Sequence, residues 1–124
     1  MSLGEIIRNV NWSLQVKDVI RYAWASGDLN PIHFDANAAQ ELGLPGPIAH
    51  GLYAHARLNC ELLSAIREHG LGKLAATHTK FSAMMPIPGE YHVVVSAGAD
   101  SNVLVARVLN AEGATCVEVR AQLR

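Results

Sequence analysis

The sequence predicts an α+β fold in which a curved antiparallel sheet wraps one long helix, and three observations predict it. Leu52 to His69 runs for 18 residues without a Gly or Pro, the longest helix-compatible stretch in the chain. Around that helix Leu52, Ala56, Leu58, Leu62, Leu63, Ala65 and Ile66 occupy more than one face, which implies burial on most sides. Four β-prone runs then follow, ATHTKFSAM, YHVVVSAG, NVLVARVL and TCVEVRAQL, separated by the turn-like PIPGE, ADS and NAEGA, and read as a meander that supplies the wrapper.

The elements before the long helix follow in order. A strand is expected around Asn11 to Leu14. From Val16 to Ala25 the apolar residues Val19, Ile20, Ala23 and Trp24 recur at helical spacing, giving an amphipathic helix that ends at Gly27. The Asn30-Pro31 pair favours a turn and disfavours helix at Asn30, so Asp28 to His33 is irregular. Asp35 then reads as the N-cap of a two-turn helix with Ala38, Ala39 and Leu42 inward, closed by Gly43. LPGPIAH carries too much Pro and Gly for regular structure.

At 124 residues, half of them apolar and 17% charged, the chain is one ordinary domain, 1–124, able to close a core without metal or disulfide staples. A net charge of -1 and the lack of any basic run argue against nucleic acid as a partner. No apolar run is long enough for a membrane span, and MSLGEIIRN has neither a basic flank nor a signal-type segment, so a cytoplasmic protein is expected. Cys60 and Cys116 stand apart from any zinc or redox spacing and read as buried thiols. A curled sheet leaves an edge strand and an apolar flank uncovered in a monomer, which predicts a homodimer or higher homo-oligomer.

Chemistry concentrates between Tyr22 and Gly51. Asp28 and His33 are five residues apart across a turn, which can bring them within a few ångströms where an extended chain would separate them by roughly 17 Å. A carboxylate and an imidazole meeting at one water can accept a proton from a nucleophile and deliver one to carbon. Each also has a structural use, Asp28 in an Asx-type turn and His33 in a backbone hydrogen bond. Gly51 directly precedes the long helix, where free N–H groups and the helix dipole favour an oxyanion and a missing Cβ lets a thioester carbonyl approach. Asn30 and His50 are supporting candidates in the loops, and Asn59, on the Gly51 face of the helix with His55, could hold the Asp28 carboxylate or the water. His33, Asp35, His50 and His55 match no zinc or iron spacing, so neither a metal nor a cofactor is expected. Arg57, Lys73 and Lys80 read as solvated surface charges that could also meet an anionic partner.

YAWASGDLNPIHFD followed by GLPGPIAHGL resembles the signature of the MaoC-like (R)-specific enoyl-CoA hydratases, the hydratase 2 family, and KFSAMMPIPGE is similar to the strand and turn after their central helix. The resemblance implies a hotdog fold, paired into a dimer with acyl-thioester tunnels at the interface. It also implies hydration of trans-2-enoyl thioesters of CoA or acyl-carrier protein to (R)-3-hydroxyacyl thioesters, with Asp28 and His33 as the catalytic dyad and Gly51 as the oxyanion donor. Two alternatives go with that fold: a non-catalytic partner subunit of a hetero-oligomeric dehydratase, and an acyl-CoA thioesterase.

Overall fold

The computed structural model describes residues 1–124. Five strands, β1 (Ile6–Leu14), β2 (Leu74–Phe81), β3 (Gly89–Ala97), β4 (Val103–Leu109) and β5 (Thr115–Leu123), form one antiparallel sheet in the order β1-β3-β4-β5-β2. Alternation in these strands sends Val93, Val95, Leu104, Val108, Val119 and their neighbours to one face, where they are buried. That face packs against α3 (Gly51–His69), whose inward residues Ala54, Leu58, Leu62, Ala65 and Ile66 complete a continuous core.

The expected meander holds for β3, β4 and β5, but β2 pairs with β5 at the far edge and not with β3. The segment between β2 and β3 is no tight hairpin. It buries Met85 and Ile87 in the core and bridges Pro86 to Ile48, which ties it to the loop before α3.

Three helices are less buried than their apolar periodicity implies. In α3, Leu52, Ala56 and Leu63 are exposed and fall with Cys60 on one solvent-facing stripe. The sheet covers only one side of the helix, so Cys60 is exposed while Cys116 is buried. In α1 (Val16–Ser26) the stripe is split: Val19 and Ala23 are buried, whereas Ile20 and Trp24 are not. In α2 (Ala36–Glu41) Ala39 alone is fully buried. Leu42, the C-cap of this short helix, is exposed.

Charges are paired along the middle of α3. Glu61 is buried and meets the Arg8 guanidinium of β1 at 2.6 Å and Arg57 one turn earlier at 3.4 Å, while Arg57 lies over the Trp12 ring. The hydrogen bond to Glu61 raises the pKa of Arg8 above its usual value. No helix is long and apolar enough to cross a membrane.

Candidate active site

The site is assembled where α1 ends and α3 begins. Gly27 takes a left-handed conformation, φ 79°, and its N–H returns to the Ala23 carbonyl, so the chain leaves α1 abruptly and Asp28 projects past the helix end. Two successive Asx turns follow. Asp28 Oδ1 accepts from the Asn30 N–H at 3.3 Å, and Asn30 Oδ1 accepts from the Ile32 N–H at 3.2 Å, capping a 3-10 turn over Pro31–His33. Asn30 therefore supports the site through the backbone.

His33 is buried at the end of this turn. Its Nδ1 lies 2.8 Å from the Ile48 carbonyl. A carbonyl only accepts, so Nδ1 carries the proton and donates, and the neutral ring presents an Nε2 lone pair. That atom is 3.8 Å from Asp28 Oδ2, too far for a hydrogen bond. Two acceptors at this separation suit a bridging water about 2.8 Å from each, donating one O–H to either side. Half of the Asp28 side chain, 53%, is open to solvent, so such a water has access.

His50 lies over the dyad. Its ring stacks on His33 with centroids 3.6 Å apart, meets the Tyr22 ring edge-on, and places Nε2 3.1 Å from the Asp28 carbonyl oxygen. By the same donor logic Nε2 carries the proton, which leaves Nδ1 buried and without a partner. Burial lowers the pKa of His50, and a proton on the neighbouring His33 would act in the same direction.

Gly51 opens α3, and no loop or turn carbonyl claims its N–H. A Cβ there would lie 3.0 Å from the Phe81 ring, so glycine lets β2 close over the start of the helix. Two hollows meet at this point and share His33, His50, Gly51 and Phe81. One, about 370 Å³, holds Asp28, Tyr22 and Ser26. The other, about 500 Å³, continues along Met84, Met85 and Val117 and is mostly apolar.

Asn59 is directed elsewhere. Its amide donates to His55 Nε2 at 3.0 Å, and His55 Nδ1 donates to Thr79 Oγ1 at 2.8 Å, a chain that ties α3 to β2 and does not reach Asp28. Asp35 is occupied as an N-cap, accepting from the Asn37 and Ala38 N–H groups. Asp28, His33 and His50 bring one potential ligand atom each within 4.8 Å of one another. The set does not fit an ion: the two rings are nearly parallel, 20° apart, so an atom bonded to both nitrogens would sit well out of both ring planes. His50 Nε2 is also already engaged by a carbonyl. Phe81, which walls both hollows, is placed on a strand by the sequence but not at the site, because the meeting of β2 with the start of α3 leaves no local pattern.

The profile of the MaoC like domain matches residues 4–115. The chain belongs to the MaoC-like domain family. Over 64 residues, 52% of its length, it is 36% identical to the fatty acid synthase beta subunit TOXC of Cochliobolus carbonum, and the match spans 3% of that much longer protein. The (R)-hydratase from A. caviae involved in PHA biosynthesis superimposes with a TM-score of 0.76 at 23% identity, covering 100% of this chain and 98% of the hydratase. The HadBC (3R-hydroxyacyl-ACP dehydratase) complex of Mycobacterium tuberculosis gives 0.75 at 17% identity, covering 96% of this chain and 94% of that one. The wrapped helix of this MaoC-like chain is thus the hotdog fold.

His50 makes stability depend on pH in a defined direction. Its pKa is lowered on folding, so the unfolded chain binds the proton first as pH falls below the free-imidazole value of 6.5. The His50 contribution is intact above that value and is lost as pH falls through its lowered folded value. Thermal unfolding of the protein and of His50→Phe between pH 8 and 5 should show the gap between them narrowing or reversing on acidification. A gap independent of pH would mean that His50 is not held neutral.

Proposed function

We propose that this protein catalyses reversible hydration of trans-2-enoyl thioesters, carried on CoA or on an acyl-carrier protein, to (R)-3-hydroxyacyl thioesters. The observation that carries this reading is the His33 Nε2 lone pair facing Asp28 Oδ2 across 3.8 Å, beside the free N–H at the start of α3. Membership of the MaoC-like family and the hotdog likeness to an (R)-hydratase and a 3R-hydroxyacyl-ACP dehydratase support it.

In the hydration direction the enoyl thioester carbonyl accepts from Gly51 N–H, which draws electron density from C3. Asp28, as carboxylate, takes one proton from the bridging water while its oxygen bonds to C3, and the enolate charge gathers on the thioester oxygen near the positive end of α3. His33, having taken up a proton from solvent at that Nε2 lone pair before the substrate enters, gives it to C2, and the carbonyl re-forms. Asp28 is left protonated and His33 neutral; one proton hop back across the gap, relayed by the next water, restores both. Dehydration runs the same steps in reverse. The pair titrates as a unit, so activity follows macroscopic values that belong to both groups.

Asn30 holds the turn, and His50 acts as a positioning residue through its bond to the Asp28 carbonyl and its stack on His33. The working unit in this reading is a homodimer. β2 is an edge strand with mostly exposed residues, and the adjoining stripe of α3 leaves Leu52 and Leu63 in solvent, so a second copy covers both at once.

Three outcomes are expected. Asp28→Asn and His33→Gln should each lose on the order of a hundredfold to ten-thousandfold in crotonyl-CoA hydration, followed by the loss of enoyl absorbance, with unfolding still cooperative. Turnover at the level of the unaltered protein in either variant would refute the dyad, and release of free thiol during the reaction would point to hydrolysis instead. Gly51→Ala crowds an exposed Phe81 ring that can give way, so the fold should persist. Displacement of the carbonyl should nonetheless cost on the order of a hundredfold in kcat/KM. Sedimentation should find a dimer that Leu63→Glu converts to monomer; a dimer indifferent to that charge places the interface elsewhere.

A further inference from the structure

The periodicity of α1 places Ile20 and Trp24 with the core, yet the fold leaves both outside. Trp24 is 73% exposed, and with Ile20, Ala23, Leu29 and Phe34 it lines a hollow of about 270 Å³ with no polar residue in it. Aromatic and aliphatic side chains gathered around an apolar depression are what a protein interface uses for its anchors. Lys17 and Arg21 share the stripe with Ile20 and Trp24, at i, i+3, i+4 and i+7, and both are exposed. Neither takes part in any ion pair of the chain. The acid of α1, Asp18, already accepts from the Gln15 N–H at the start of the helix.

We propose that this face of α1, with Leu29 and Phe34, docks an acidic, helical acyl-carrier protein that presents its thioester to the site. The proposal rests on the thioester reading given above. An amphipathic helix with an acidic flank matches an apolar centre bordered by two free cations. A second copy of this chain fits less well, because it would bring the same two cations, and the carboxylates bordering the patch, Asp18, Asp28 and Asp35, each already accept a backbone N–H close by in the chain. Position decides the rest: Leu29 and Phe34 are the chain neighbours of Asp28 and His33, and Tyr22 and Ser26, on the next face of α1, line the hollow that holds Asp28. A carrier seated on Trp24 therefore stands beside the opening through which its pantetheine arm must pass. A CoA thioester carries the same pantetheine arm with no protein behind it and needs no such seat.

The test compares one acyl group on two carriers. Crotonyl-CoA and a crotonyl-loaded, stand-alone acyl-carrier protein of fatty-acid synthesis are used as substrates for the full chain, for Trp24→Ala and for the Lys17→Glu/Arg21→Glu pair. For the carrier-bound substrate KM should rise about tenfold or more in both variants. The constants for crotonyl-CoA should stay unchanged. Separately, titration with the unloaded holo carrier should shift the emission of Trp24, and this shift should vanish in Trp24→Phe, since Trp12 is buried. Equal losses with both substrates, no loss with either, or a shift produced by anionic lipid vesicles but not by the carrier would each overturn the proposal. The titration needs no turnover: a protein that binds the carrier through Trp24 yet hydrates neither substrate would sink the hydration reading and leave the docking surface standing.

Discussion

The site depends on a lacing between two segments that are irregular by sequence and rigid by hydrogen bonding. His33, on the turn after α1, donates to the Ile48 carbonyl, while His50, on the loop before α3, donates to the Asp28 carbonyl. The Ile48 N–H bonds to the Ile32 carbonyl between them. Each segment thus supplies an imidazole to the other's backbone, and the donors fix the tautomers of both rings. Pro31 cannot donate and Gly46 and Pro47 cannot hold regular structure, so without this exchange both segments would carry unpaired carbonyls and mobile histidines. The same bonds that satisfy the backbone aim His33 Nε2 at the Asp28 carboxylate.

Rings carry that rigidity back into the core. Trp12 of β1 meets the edge of Tyr53 on α3 at 5.6 Å, Tyr53 stacks on Tyr22 of α1 at 4.7 Å, Tyr22 meets His50 at 4.8 Å, and His50 stacks on His33. Trp12 sits in turn under Arg57, whose charge Glu61 balances together with Arg8. A continuous column therefore joins the first strand, the long helix and the first helix to the dyad. Burial, which raises the pKa of Tyr53 and lowers that of His50, keeps both members neutral, so the stack holds without charge repulsion.

Local signals were legible in the sequence and long-range ones were not. Gly27, Asn30-Pro31, Asp35 and Gly43 announce their turns and caps because each residue satisfies the backbone within two or three positions, and the structure uses each where expected. The alternation of β3 to β5 likewise needs only neighbours. The place of β2 beside β5 is set by where a 19-residue helix delivers the chain and by the burial of Met85 and Ile87, which no window of sequence contains. Helix periodicity reported that Leu52, Leu63, Ile20 and Trp24 are apolar, but not that a five-stranded sheet is too narrow to cover every side of its helices. Asn59 shows the same limit: an amide on α3 needed a partner, and the nearer one was His55, a turn away, not the carboxylate of another segment.

The two hollows give the hydration reading a direction. Water must reach C3 from the side where Asp28 is open to solvent, and the acyl tail must leave on a side where it meets no unpaired polar group. The Asp28 hollow satisfies the first need, and the hollow along Met84, Met85 and Val117 satisfies the second. His33, His50, Gly51 and Phe81 line both hollows, so in that reading an acyl thioester lying along the two would hold its thioester and double bond beside Asp28 and His33. Phe81 sits at the join on an edge strand, and the covering of that edge by a second copy would fix its ring and with it the width of the passage. Dimerisation and the placement of the reacting carbons would then be set by the same strand.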